Sequence, residues 1–357
     1  MLKLGTDGQK LWAAEALVHL ASDNDNRLAI ACGGALLPLV TLIQSGTDPQ
    51  KERATAAPAN LALNGANHVR IARYRVIAVL VKLMQVGTAS QKQWAVSALG
   101  NLAYSNQANC ENIEAKGGIP MLVTLIQKGS DAQKERAAKT LGNLAATSDR
   151  ERIQIARAGA IGPLIALLRA GTTAQKQQAA MALGNLTINN ATNRGVIARD
   201  GAIPPLEALV RSGNGMQKQT AASALGFLAL FDTANCALTA REIAPLVELL
   251  RAGTNAQKQR VMSALANIAI ASDANCVVIV EAGAIPPLVE LARVGTDAQK
   301  TRAARALRNL ASNQASREAL VHDGAIPPLI QLRQQGIPEQ KNNAKLALRA
   351  IKVMTTL

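Results

Sequence analysis

The order of hydrophobic and polar residues starts anew every 40 to 42 residues along the chain. Each block contains a Gly that is followed four and five residues later by Gln and Lys. This Gly occurs at Gly5, Gly46, Gly87, Gly129, Gly171, Gly213, Gly253, Gly295 and Gly336. A fixed period of this length predicts one supersecondary unit stacked many times, which is a solenoid with a continuous core and no internal domain boundary.

The unit over residues 283–323 shows which elements the pattern predicts. Pro286 opens a helix, since Pro at the first helical position costs no hydrogen bond. Gly295 ends this helix, as a left-handed residue after a helix C-terminus would. The apolar residues of 298–311 recur with a period of 3.6 and predict a longer helix. A short helix follows over 316–322, so each unit should have three helices.

The short helix is predicted to begin at a repeated N-cap, because small polar side chains satisfy the free N–H groups of a helix start. The residues at this position are Asn26, Asn67, Asn109, Asn193, Asn235, Asn275 and Ser316. The cysteines Cys110, Cys236 and Cys276 directly follow three of them and are interpreted as descendants of one repeat position. All four cysteines of the chain are expected to be free.

Two neighbouring units break the pattern. Pro58 occupies a third-helix position where most units place a core Leu, and Pro inside a helix removes a donor and clashes with the preceding turn. In the next unit, Tyr74-Arg75-Val76-Ile77 replaces the Gly-Ala-Ile-Pro that separates the first and second helices elsewhere. We expect a kinked or shortened helix near Pro58 and early fraying of residues 1–75.

Composition supports an all-α fold. Hydrophobic residues make up 48% of the 357 residues and aromatic residues only 2%, which is too few aromatics for a typical β-sandwich or barrel. No apolar run approaches the roughly 18 residues that a membrane span needs, and the N-terminus lacks the pattern of a signal peptide. With only four cysteines, the default expectation is a reducing compartment. The expected localisation is the cytoplasm and also the nucleus.

Segments such as Gly283-Ala-Ile-Pro-Pro-Leu-Val-Glu-Leu and Ala98-Leu-Gly-Asn-Leu-Ala103 resemble the armadillo repeat. The resemblance covers essentially the whole chain as a single array, with a partial repeat over 1–32 and about eight repeats over 33–357, the last of them a C-terminal cap. It implies a right-handed α-solenoid whose third helices line a concave groove. In members such as importin alpha and beta-catenin, that groove binds extended peptides.

The resemblance also implies a ladder of asparagines, fourteen residues after each turn Gly. The ladder residues here are Asn60, Asn101, Asn143, Asn185, Asn267 and Asn309, with Phe227 in place of Asn in one repeat. An Asn amide carries a donor and an acceptor, so it can bond both backbone groups of a peptide. The alternative is that the amide bonds the neighbouring repeat instead.

A second family ladder, of Trp four residues earlier, is missing. Those positions hold residues such as Glu15, Ser97, Lys139 and Arg305. In importin alpha the Trp faces sandwich the stems of basic side chains. Recognition of a basic nuclear-localisation peptide in that manner is therefore not expected.

Aromatic and arginine side chains are predicted to face the groove instead. The residue seven before each ladder position lies about 20° from it on a helical wheel. Together with ladder-face neighbours, these candidate site residues are Trp12, Trp94, Phe227, Phe231, Arg53, Arg136, Arg260, Arg302 and Arg305. Such residue types are typical of interface hot spots, although the rings could also only fill gaps between helices.

Charge indicates the kind of partner. The chain has a net charge of +15. From Arg260 onward the groove columns hold arginines and no carboxylate, which favours an acidic segment of a partner protein. The in-register lysines are predicted to lie about 180° from the ladder, with a structural role near helix C-termini.

These patterns predict a non-enzymatic protein-interaction scaffold. The three histidines, His19, His68 and His322, fall in different repeats, and no catalytic triad, phosphate-binding loop or metal-ligand spacing occurs, so no cofactor or metal is expected. One alternative is binding of nucleic acid or another polyanion by the basic surface. Another is end-to-end self-association through exposed apolar residues such as Leu2 and Leu4.

Overall fold

The computed structural model describes residues 1–228 and 240–352. All regular elements in these residues are helical, and they contain no strand. The chain forms two compact units, Met1–Leu186 and Thr187–Leu357.

The first unit begins with a third-type helix and then holds four three-helix repeats. In chain order its helices are α1 (Asp7–Leu20), α2 (Asn24–Cys32), α3 (Leu36–Ser45), α4 (Asp48–Leu61), a short 3-10 helix (Gly65–Asn67), α5 (His68–Arg73), α6 (Val76–Val86), α7 (Ala89–Ala103), α8 (Gln107–Ala115), α9 (Gly118–Lys128), α10 (Asp131–Thr147), α11 (Asp149–Arg157), α12 (Ile161–Ala170) and α13 (Thr173–Leu186). The third helices α1, α4, α7, α10 and α13 pack on one another in that order.

The second unit repeats the same order of short, medium and long helices. Its described helices are α14 (Ala191–Arg199), α15 (Ile203–Ser212), α16 (Gly215–Leu228), α17 (Ala240–Ala252), α18 (Asn255–Ala271), α19 (Asp273–Glu281), α20 (Ile285–Val294), α21 (Asp297–Ala311), α22 (Gln314–His322), α23 (Ile326–Gln335) and α24 (Pro338–Lys352). The third helices α16, α18, α21 and α24 form the stack. The predicted all-α solenoid of three-helix repeats is confirmed.

The third helices begin at a capping box that also joins neighbouring repeats. In α10, the Ser130 side chain accepts from the Gln133 N–H, and the Gln133 side chain accepts from the Ser130 N–H. The Gln133 Nε2 then donates to the Ala89 carbonyl of the preceding third helix at 2.9 Å. Gln50, Gln91 and Gln175 make the same connection in the first unit. The Gln of the Gln-Lys pair is therefore a structural tie in these repeats.

The turn glycine is required for space and not for a left-handed backbone. Gly295 has φ −67° and ψ 169°, which any residue can adopt, so the predicted left-handed conformation is wrong. A Cβ at this position would lie 2.4 Å from the Leu291 carbonyl oxygen. Only Gly fits there without moving the helix end.

The N-cap of the short helix lies three residues before the predicted one. In α8 the cap is Asn106, whose side chain accepts from the Asn109 N–H at 3.0 Å. Asn109 is inside the helix, and its Nδ2 donates to the Leu102 carbonyl at the end of α7. Asn67 and Asn275 make the same bond to Leu61 and Ile268. The repeated Asn therefore caps the third helix behind it.

The irregular repeat is accommodated differently from the expectation. Helix α4 runs through the buried Pro58 to Leu61 and has 14 residues, as α1 has, so the predicted shortening is wrong. Arg75, with φ 56°, takes the left-handed position that Gly117 holds with φ 76°. The replacement for Gly-Ala-Ile-Pro is thus Arg75-Val76-Ile77-Ala78, one residue later than the sequence comparison placed it.

The core of each unit is aliphatic. The third helices supply Leu and Ala side chains with almost no exposure, and the second helices cover them with Leu, Ile and Val. Within residues 1–228 and 240–352 no single helix is long and apolar enough to cross a membrane, although two sharply bent pairs of consecutive helices meet the length and composition requirement together.

Candidate peptide-binding groove

The ladder asparagines of the first unit are tied to the preceding repeat through one amide N–H. Asn101 Nδ2 donates to the Ala59 carbonyl at 2.9 Å, and Asn143 Nδ2 donates to the Gly100 carbonyl at 2.8 Å. Asn60 and Asn185 repeat this contact with Val18 and Gly142. The alternative role, bonding between repeats, is therefore realised in the structure.

These asparagines keep polar atoms for a ligand. Their side chains are half-buried, and in the described part of the chain no donor reaches their Oδ1 atoms. Each also has a second amide N–H beyond the one used between repeats. The donor and acceptor that a peptide backbone needs are both present on four successive third helices.

The column seven residues before the ladder is lined by rings and arginines. Trp12 is 72% exposed. The Arg136 guanidinium lies 5.5 Å from the Trp94 ring centroid, a cation–π contact, and also bonds Ser97. Arg53 forms a 3.7 Å ion pair with Glu15. This face of the first unit therefore has both aromatic and charged side chains, and Arg53 and Arg136 both already contact other side chains of the chain.

The ladder asparagines of the second unit are more deeply buried, and their oxygens accept hydrogen bonds. Asn267 and Asn309 are only 7% and 4% exposed. Asn309 Nδ2 donates to the Ala266 carbonyl at 2.7 Å, as in the first unit. Here, however, the oxygens are also used. Asn267 Oδ1 accepts from Arg305 at 2.9 Å, and Asn309 Oδ1 accepts from Arg308 at 3.0 Å.

The arginines of this face lack acidic partners. Within the described residues, no carboxylate lies within 4 Å of Arg260, Arg302, Arg305 or Arg308. Burial, and next the positive charge of Arg305, lower the pKa of the Arg308 guanidinium. This stretch of third helices therefore has a cluster of arginines without ion pairs, with Glu339 as the carboxylate whose charge still acts on Arg308.

Only one of the two predicted phenylalanines falls in the described part of the chain. Phe227 stands in the ladder position of α16 and is half-buried. Phe231 lies outside the described residues, and so does Cys236. The other predicted site residues lie on third helices, which their spacing required.

Sequence reasoning missed the role of a column of side chains that caps the ends of seven third helices in the described part of the chain. Arg152 Nη1 donates to the Ala145 carbonyl, and the Cys110 Sγ donates to the Ala103 carbonyl at 3.3 Å. Arg27, His68, Arg194, Cys276 and Arg317 make equivalent bonds. These residues follow the turn Gly by 22 or 23 positions, which could have revealed the column, but their residue types differ too much to stand out.

Burial governs the chemistry of the cysteines. It raises the pKa of the Cys110 thiol to about 11 and that of Cys276 to about 11. Cys32 is exposed, and all three are free. Among the residues described, no three His, Cys, Asp or Glu side chains are grouped in a way that could hold a metal ion.

The stacked three-helix repeats define an α-solenoid protein. The family model described as armadillo/beta-catenin-like repeat matches residues 272–312, which hold α19, α20 and α21. The crystal structure of an engineered protein, a Northeast Structural Genomics Consortium target, superposes with a TM-score of 0.89 at 28% identity, covering 98% of this chain and 86% of that chain.

A designed armadillo repeat protein shares the fold with a TM-score of 0.62 at 24% identity, over 65% of this chain and 99% of that one. No curated protein sequence matches. Residues 272–312 thus match the armadillo repeat, and the fold of the whole described chain is similar to that of armadillo repeat structures. This fold is commonly a non-enzymatic scaffold for protein interactions.

Proposed function

We propose that the chain is a non-enzymatic scaffold that binds an extended acidic peptide segment of a partner protein along its third helices. The observation that carries this proposal is the set of unused polar atoms on the first-unit ladder. Asn60, Asn101, Asn143 and Asn185 each combine a free Oδ1 with a spare N–H in a half-buried position.

An extended peptide offers its N–H and C=O groups at regular intervals and cannot satisfy them within itself. One Asn per repeat supplies an acceptor and a donor at the repeat spacing. Because backbone groups are the same in every peptide, the ladder supplies affinity without reading sequence. Selectivity then comes from the rings and charges beside it, among them Trp12, Trp94 and Arg136.

The preference for acidic segments rests on charge. The net charge is +15, and Arg260, Arg302 and Arg305 have no carboxylate partner among the described residues. A carboxylate that approaches them gains charge-assisted hydrogen bonds, which are stronger than neutral ones. A basic peptide would meet repulsion on the same face.

The direct test begins with a peptide-display selection against the whole chain. Binding of a selected peptide is then measured for the variant Asn101→Ala/Asn143→Ala. Each lost hydrogen bond is worth about 0.5–1.5 kcal/mol, and each Asn would lose two, so the affinity should fall roughly 30-fold or more. Because both residues also tie repeats together, helicity and the unfolding midpoint are measured on the same samples.

Asn112→Ala is the matched control, since Asn112 is also half-buried but lies on the first-type helix α8. Its affinity should equal that of the wild type. If the ladder variant is folded and binds the peptide as tightly as the wild type, binding of the peptide backbone by the ladder asparagines is rejected.

Nucleic acid binding is the competing function, because a basic chain attracts phosphates. It predicts that the logarithm of affinity falls steeply with the logarithm of salt concentration and depends little on sequence. Steep salt dependence together with indifference to the ladder variant would favour this alternative.

A further inference from the structure

The ladder oxygens of the two units differ in what they accept. In the first unit the Oδ1 atoms of Asn101 and Asn143 have no donor in the described part of the chain. In the second unit, Arg305 Nη2 donates to Asn267 Oδ1 at 2.9 Å. Arg308 donates to Asn309 Oδ1 through both Nε and Nη2, at 3.2 and 3.0 Å. The chain's own guanidinium groups therefore occupy the acceptors that a bound peptide would use.

The arginines hold these positions on neutral acceptors alone. The third donor of Arg308, Nη1, bonds Asn343 Oδ1 at 2.8 Å. Neither guanidinium has a carboxylate within 4 Å among the described residues, and each carries a positive charge beside the other. A carboxylate has two oxygens that match the guanidinium fork and also neutralises its charge. An amide oxygen does not, so an acidic side chain is the better partner for both.

This arrangement has a local cause in sequence. Arg308 directly precedes the ladder Asn309, and the corresponding residues of the first unit are Ala59, Gly100, Gly142 and Gly184. At Gly100 a Cβ would lie 2.5 Å from Thr140 Oγ1 of the next third helix, so that position admits no side chain. Beside Asn309 the long side chain is accommodated and runs toward α24.

We infer that Arg305 and Arg308 are an anion-released latch on the ladder of the second unit. An acidic side chain of a bound peptide takes the two guanidinium groups, and the Oδ1 atoms of Asn267 and Asn309 then accept the N–H groups of the same peptide. The inference rests on the proposed function and deepens it. Acidic residues are then a condition for backbone binding in this unit and not only an added attraction.

The latch predicts a gain of binding when the arginines are removed. The probes are a fluorescein-labelled decapeptide of alternating Asp and Ser and its neutral counterpart of alternating Asn and Ser. Affinity is measured by fluorescence anisotropy at about 0.15 M salt, where the Debye length is about 8 Å and distant charges are screened. The wild type should prefer the Asp peptide. In Arg305→Ala/Arg308→Ala the Asn peptide should bind about tenfold more tightly than to the wild type, while the Asp peptide binds more weakly.

Arg333→Ala/Lys341→Ala is the matched control, because it removes the same charge from exposed positions of the same unit. It should weaken the Asp peptide slightly and leave the Asn peptide unchanged. If the arginines contribute only charge, the latch variant will behave like this control. Neutral-peptide affinity that is unchanged or lower in the latch variant would overturn the inference.

A second measurement separates the latch from the groove itself. Sodium sulfate is titrated into full-length chain labelled with 15N-arginine, and the side-chain Nε–H resonances are followed by NMR. The signals of Arg305 and Arg308, assigned from the single variants, should shift saturably, whereas that of Arg333 should not. If the wild type bound neither peptide, the proposed groove would be contradicted. Absence of the sulfate-dependent shift would reject the latch on its own.

Discussion

Replacing Arg75 by Gly should stabilise the repeat that contains it. Arg75 adopts φ 56°, and a left-handed conformation costs a residue with a side chain about 1–2 kcal/mol. The equivalent residues Gly117 and Gly159 have φ 76° at no such cost. Gly also loses more backbone entropy on folding, about 0.5–1 kcal/mol. The expected net gain for Arg75→Gly is therefore about 0.5–1 kcal/mol.

The gain in stability should not be offset by the loss of side-chain contacts. Arg75 is exposed, and it forms no ion pair or side-chain hydrogen bond with the part of the chain that the structure describes. Native-state hydrogen exchange is the suitable assay, because repeats open locally and contact only their neighbours. Amides of 68–86 should exchange roughly 2- to 5-fold more slowly in Arg75→Gly, with little change in the amides of 131–170.

Two variants separate backbone strain from side-chain effects. Arg75→Ala removes the charge and the long side chain but keeps a Cβ at φ 56°, so it should show no gain. Gly159→Ala introduces the same strain where a Cβ would have no described atom within 4 Å, and it should destabilise by about 1 kcal/mol. If Arg75→Ala protected these amides as much as Arg75→Gly, relief of strain would not be the cause.

Three further predictions concern the tie made by Gln133, the reactivity of the cysteines and the irregular repeat. Gln133→Ala should lower the free energy of unfolding by about 1–3 kcal/mol in a denaturant titration, because it removes the bonds to Ser130 and Ala89; a change below about 0.5 kcal/mol would show that water replaces both. At pH 8, Cys32 should be alkylated while Cys110 and Cys276 stay unmodified, since burial raises the pKa of both thiols to about 11 and their thiolates are scarce; peptide mass spectrometry checks this, and equal labelling would contradict it. In the wild type, amides of 50–75 should exchange before those of 130–185, because Pro58 and Arg75 weaken adjacent repeats; uniform protection would contradict the weakness.

The fold was predictable because one period determines most of it. The turn Gly and the Gln that follows it occur at the start of the long helix in each repeat. The Gly allows the turn without a steric clash, and the Gln bonds the preceding repeat. Local conformations were harder to predict. Nothing in the residue type shows that Gly295 is extended and Gly283 left-handed, since Gly permits both, and Asn serves equally as an N-cap and as a cap on the helix behind it.

The candidate site divides in the same way between what is periodic and what is not. Periodicity places an Asn on successive third helices, and the hydrogen bond of its Nδ2 to the preceding helix follows from the repeated geometry. The state of its oxygen depends instead on other residues, namely the one directly before it, as with Arg308 and Asn309, or one on the next third helix, as with Arg305 and Asn267. Gly100 leaves Asn101 open, whereas Arg308 covers Asn309. One ladder thus has open acceptors in the first unit and occupied ones in the second, and the residues that cause this difference lie on the same repeated helices.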